Sequence, residues 1–187
     1  MDNSSNLTNQ FLIAMPNLAD PNFFHSVTYL CEHNQDGAMG LTINRAIDIN
    51  FGMLLEHLDI KDYVAQVKNL PVYQGGPVQT ERGFVLHENI GQWHATIPVT
   101  NNIAVTMSQD IIEAIAHGAG PPRFLIALGY AGWGAGQLEQ ELASNSWLSG
   151  PADPAIIFTT PIEQRWQASA ALLGVEIGLL SPDAGHA

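Results

Sequence analysis

Two apolar runs, "VTYLCEH" (27–33) and "MGLTI" (39–43), stand five residues apart across "NQDGA". Five residues are too few for the crossover that parallel strands require, so the two runs read as an antiparallel hairpin. Gly37 supplies the positive φ that such a turn favours. On that pairing Val27, Tyr29, Cys31 and His33 share one face, opposite Met39, Leu41 and Ile43. The hairpin therefore demands a sheet with a buried side. Further apolar, β-branched runs at 11–15, 83–87, 103–107, 124–128 and 155–159 read as its other strands.

Helices interleave with these runs. Phe51, Leu54, Leu55 and Leu58 fall at i, i+3, i+4 and i+7 behind Asn50 as cap. A second helix follows Ser108, with Ile111, Ile112 and Ile115 as its buried stripe. Near the C-terminus Thr160, Pro161 and Glu163 read as a capping box with proline at the first helical position. Ile162, Trp166, Ala170 and Leu173 then mark one face until Gly174 closes the helix. The expected fold is α+β: one domain over residues 1–187, a strongly bent or barrel-like mixed sheet flanked by helices, with residues 1–9 flexible.

Charge narrows the function classes. Eighteen acids face six bases, a net charge of −12, whereas DNA binders draw affinity from Lys and Arg on phosphates. Direct nucleic-acid binding is not expected. Neither a membrane-length apolar run nor a secretory leader is read, which points to a cytoplasmic protein without membrane contact. Cys31 is the only cysteine, and His25, His57, His94, His117 and His186 have no metal-ligand spacing. No metal and no cofactor are expected.

The stretch "GYAGWGAGQLEQEL" (129–142) resembles a dinucleotide fingerprint, because a strand leads through glycines into a helix. Glu139 stands where the third glycine would pack the helix on the strand. With Gly136 as cap, that carboxylate reaches the first-turn amides a phosphate would use. The stretch reads as a structural turn seating Trp133 beside the helix.

"QFLIAMPNLADPNFFHSVTYLCEHNQDGAMGLTINR", "VYQGGPVQTERGFVLH", "LIALGYAGWGAGQLEQEL", "SWLSGPADPAIIF" and the closing "AGHA" together resemble the YqgE/AlgH family of small bacterial proteins, in order and over nearly the whole chain. The resemblance implies a compact α+β fold with a strongly bent sheet. It also brings the family's frequent label of transcriptional regulator, which is not a DNA-binding motif.

Of the polar groups, Cys31 and His33 admit a nucleophile pair, but their face is a core pattern, and an inert thiol with His33 capping turn backbone is the expectation. Asn44 and Arg45 end the third strand, and a guanidinium beside an amide suits a carboxylate or phosphate, or else a salt bridge to Asp48. Gly75, Gly76 and Pro77 make a sharp turn that brings backbone close to a neighbour, before His87. Two functions follow. One is a regulatory module binding a protein partner or small ligand; the other is an enzyme whose site combines Asn44, Arg45, Gly75–Pro77 and His87.

Overall fold

The computed structural model describes residues 6–177. They divide into two compact units, one built from the chain up to Asn44 and from Ala131 onward, the other spanning Arg45–Tyr130. The strands are β1 (Gln10–Ala14), β2 (Val27–Asn34), β3 (Gly37–Thr42), β4 (Ala46–Asn50), β5 (Pro71–Gln74), β6 (Val78–Glu88), β7 (Thr96–Pro98), β8 (Ile103–Thr106), β9 (Phe124–Gly134) and β10 (Trp147–Pro151). The helices are α1 (Phe51–His57), α2 (Gln109–Ala116), α3 (Gln137–Ala143), α4 (Pro154–Phe158) and α5 (Arg165–Ala171). The fold class is α+β, as the sequence leads one to expect.

In the first unit the strand order is β10-β1-β2-β3 and then the end of β9, all antiparallel. Leu12, Leu30, Ala131, Trp133, Leu138 and Trp147 are buried together on the side covered by α3. The Trp133 ring stacks on Phe23 at 6.1 Å and meets Trp147 edge-on at 6.2 Å. The expected hairpin forms, with Tyr29 opposite Leu41. A bulge between Leu30 and Glu32 then inserts Cys31 and shifts the register, so that His33 pairs with Ala38. Such a slip moves the later side chains to the other face and bends the strand. Cys31 and His33 therefore do not share the face that simple alternation assigns them. Residues Leu7–Asn9 are tied to this sheet: the Asn9 amide donates to Leu30, and the Tyr29 hydroxyl to Asn9 Oδ1 at 2.7 Å.

Two assignments in the C-terminal part are corrected. The run 155–159 is helical, not extended, because Asp153 caps it by accepting the Ala155 amide and Pro154 occupies its first turn. The last helix starts later than the capping-box pattern puts it. Thr160 donates its hydroxyl to Ala155 O, Pro161 is extended (ψ 140°), and Ile162–Gln164 make a 3-10 turn before α5. Gly174 does close this segment, at φ +72°.

In the second unit β9 lies between β5 and β6, and β8 and β7 continue from β6. The β5–β9 pair is parallel, which makes the sheet mixed. α1 and α2 form as their apolar spacing indicates. Asn50 Oδ1 accepts the Met53 amide at 2.9 Å, and Ile111, Ile112 and Ile115 are buried with Phe51, Leu55, Val72, Val85 and Ile126. Strands β4, β5, β7 and β10 have no counterpart among the sequence runs. The last three are short and carry Pro71, Pro98 and Pro151.

The glycine stretch is mostly strand. β9 runs through Gly134, and the turn is confined to Ala135 and Gly136, whose φ of +76° makes it the N-cap of α3. Gly129 lies inside β9 at φ +75°, with the Gly76 carbonyl oxygen 2.4 Å from where a Cβ would stand. The Gly75–Gly76 turn thus approaches another backbone closely. The closing "AGHA", with His186, lies outside the described residues.

Candidate functional site

The residues proposed as a polar pocket fall in different places. Arg45 offers its carbonyl to the Gln74 amide at 2.8 Å, and the Gly75 amide donates to Leu128 O at 2.8 Å. Arg45 is thereby set beside the Gly75–Gly76 turn. An open depression of about 600 Å³ lined by Gln79, Thr80, Glu81 and Arg82 belongs to the same region, since the Thr80 Cα is 3.2 Å from the Cβ position of Gly129. Arg82 lies over the Phe84 ring at 5.8 Å.

His87 is elsewhere. It pairs with Phe124 on β9, whereas the glycine turn sits at Leu128, four residues and roughly 13 Å away at about 3.3 Å per residue. Its ring is fully buried, with Nε2 2.7 Å from Thr106 Oγ1 and Nδ1 3.3 Å from Glu88 O. Thr106 Oγ1 lies in turn 2.9 Å from Thr96 Oγ1, and the Thr96 hydroxyl donates to Trp93 O, so the ring ends a chain of hydroxyls. Burial holds the His87 pKa below its usual value, against the weaker opposite pull of the Glu88 and Asn89 carbonyls.

Neither member of the Cys31/His33 pair is available for nucleophilic chemistry. The Cys31 thiol points to Tyr29 O at 3.6 Å, and burial pushes its pKa up, which removes the thiolate. His33 does not cap the hairpin turn. Its Nδ1 accepts the Leu7 amide at 3.0 Å, so Nε2 carries the proton and donates to Glu139 at 2.6 Å. Both ring nitrogens are engaged. Glu139 is held below the usual carboxylate range first by its own backbone amide and then by His33. It fills the α3 N-terminus as the sequence indicates. Among the described residues no group of three His, Cys, Asp or Glu side chains is placed to share a metal ion, and no helix is long and apolar enough to cross a membrane.

Asn44 serves a feature that sequence reasoning missed. Its Oδ1 accepts the Val27 amide and its Nδ2 donates to the His25 carbonyl, both at 2.9 Å. His25 has a left-handed backbone, φ +54°, a conformation that costs a non-glycine residue of order 1–3 kcal/mol. The clasp fixes it there. The His25 ring is stacked between Phe24 at 3.8 Å and Trp166 at 3.9 Å, with interplanar angles of 16° and 15°. Trp166 is anchored in turn by its indole N–H on Ala14 O at 3.0 Å. Below the pile, the Phe24 amide donates to Asp20 O and the Ser26 hydroxyl to Phe23 O. Phe24 is 48% exposed. Burial in this stack lowers the His25 pKa, which leaves the middle ring uncharged at neutral pH. The available signal was "DPNFFHS": two aromatics and a histidine after an Asp-Pro turn, in a segment too polar for a strand.

The model of the AlgH-like family matches residues 11–178. A UPF0301 protein of Thioalkalivibrio sulfidiphilus is 60% identical over 187 residues, covering 100% of both chains. One of Nitrosococcus oceani is 56% identical over 96% of each. Among solved structures, the AlgH protein from Pseudomonas aeruginosa is similar with a TM-score of 0.82 and 51% identity, over 100% of this chain and 99% of that one. Protein DIP2367 from Corynebacterium diphtheriae, with a TM-score of 0.73 and 18% identity over 96% and 93% of the two chains, shares the fold. The chain belongs to the AlgH-like family.

Proposed function

We propose that this cytoplasmic protein is a docking module, which holds another protein at the Phe24–His25–Trp166 pile and makes no direct contact with DNA. The pile is the observation that carries the reading. Three rings are fixed in advance by a clasped left-handed residue and an anchored indole. A contact residue held rigidly loses little rotamer entropy on binding, and aromatic anchors dominate interface energetics. The catalytic alternatives have fewer means, since the His33 and His87 ring nitrogens and the Cys31 thiol have partners inside the protein. The net charge of −12 opposes duplex DNA at about 150 mM salt, where steering reaches only about 8 Å and is here repulsive. Any regulatory effect then passes through a protein.

A photo-crosslinking amino acid at position 24 tests this in bacterial cells, with position 53, on the exposed side of α1, as control. One discrete adduct from position 24, absent from position 53 and lost on Trp166→Ala, supports the proposal. Equal adducts from both positions overturn it, as does nanomolar, sequence-dependent DNA binding with a steep salt slope.

A further inference from the structure

Strand β6 leaves its regular pairing where it passes Gly129. Val78 pairs with Tyr130 and Gly83 with Leu128, so the four residues Gln79–Arg82 stand against one residue of β9. Gln79 starts this finger with a left-handed backbone, φ +48°, and all four residues are exposed. The finger lies down on Gly129, whose missing side chain leaves room for Val78 O and the Thr80 Cα, 3.1 and 3.2 Å from the Cβ position. Its four side chains line the open depression of about 600 Å³, a size that suits a small molecule. All of these residues belong to the second unit.

Arg82 is the unusual member. The chain has eighteen acids for six bases, yet among the described residues no carboxylate pairs with this exposed guanidinium. It is held instead by groups that spare its donors. The Phe84 ring lies under it at 5.8 Å, itself met edge-on by Tyr130 at 5.5 Å. Of the five N–H groups of an arginine, one is donated, to Gln79 Oε1 at a long 3.4 Å. A guanidinium fixed in this way keeps its planar fork for a carboxylate from outside. Glu81 brings the opposite charge to the same depression. It repels a dianion or a phosphate, as does the net charge of −12, and attracts a cationic group.

We infer that the finger binds a small zwitterion of the α-amino-acid class, its carboxylate on the Arg82 fork and its ammonium facing Glu81. This goes beyond the docking proposal and does not depend on it.

The test titrates the full-length protein with each standard amino acid in turn, followed by NMR at the Arg82 Nε–H and the backbone amides of Gln79–Arg82. Concentrations reach about 10 mM, because two charge-assisted contacts in an open site correspond to roughly millimolar affinity. At least one amino acid is expected to shift these signals saturably, and its carboxamide and its des-amino acid should each bind about tenfold more weakly. Arg82→Gln should abolish binding. Glu81→Gln should weaken the amino acid and tighten the des-amino acid, opposite changes that a general loss of structure does not produce. An unchanged melting temperature shows that both variants still fold. The inference is overturned if no amino acid gives a saturable shift, if Arg82→Gln binds like the parent, or if the carboxamide binds as well as the amino acid. Inorganic phosphate or a dicarboxylate shifting the same signals more strongly means a plain anion site and overturns it too.

Discussion

Gly129 and Gly136 have nearly the same φ, +75° and +76°, in opposite surroundings. A Cβ at Gly136 meets nothing within 4 Å, while one at Gly129 stands 2.4 Å from the Gly76 carbonyl oxygen. Alanine at 136 carries only the left-handed penalty, about 1–2 kcal/mol. Alanine at 129 carries that and must also push backbone aside, so Gly129→Ala should lower the urea midpoint clearly more than Gly136→Ala. Equal midpoints would show that the glycine turn yields easily. The need for glycine at 129 was not legible in the sequence, because the close neighbour comes from residues 75–76, more than fifty positions away. His25 shows the same limit. A histidine with no metal-ligand spacing was read as unremarkable, and its importance lies in two rings it stacks on and an asparagine that clasps it.

Elements were legible where their signal was local. α1 and α2 follow from apolar spacing, and the β2–β3 hairpin from its five-residue separation. The misreading of 155–159 came from weighing "AIIFT" by β propensity over the Asp153–Pro154 start signal beside it. The carboxylate of Asp153 accepts the Ala155 amide at 2.9 Å. Asp153→Ala should cost about 1 kcal/mol, the usual loss of a cap, seen as a lower melting temperature with faster amide exchange confined to α4. Exchange unchanged in α4 would mean that packing of Ile156 and Ile157, not the cap, holds the helix. The Cys31 bulge was invisible in the sequence because nothing in "VTYLCEH" marks an extra residue.

At the scale of the molecule, stability should respond to pH through His87. Its folded pKa lies below the ordinary 6.5, mainly because of burial. Above about pH 6.5 neither state binds the proton and the contribution is complete. As pH falls below that value the unfolded chain takes up a proton that the folded chain refuses, so stability is lost down to the folded pKa. Glutamine at 87 keeps a donor for Thr106 without titrating. Parent and His87→Gln should therefore diverge in urea unfolding between pH 7.5 and pH 5.5, with the parent losing more; parallel curves would show that the buried ring accepts a proton.

Strand β9 carries Phe124–Tyr130 in one unit and Ala131–Gly134 in the other, which sets a timetable on the ribosome. β1 needs β10, and β3 needs the end of β9, so the first 44 residues emerge with half of their pairing partners still unmade. At about 5–20 residues per second, the hundred residues up to Trp147 take roughly 5–20 s. The edge of β3 stays open until Gly134 and that of β1 until Trp147, whereas each strand of Arg45–Tyr130 has a partner within that same stretch. The newborn chain is thus most in need of a chaperone at its beginning, and for as long as its end is unwritten.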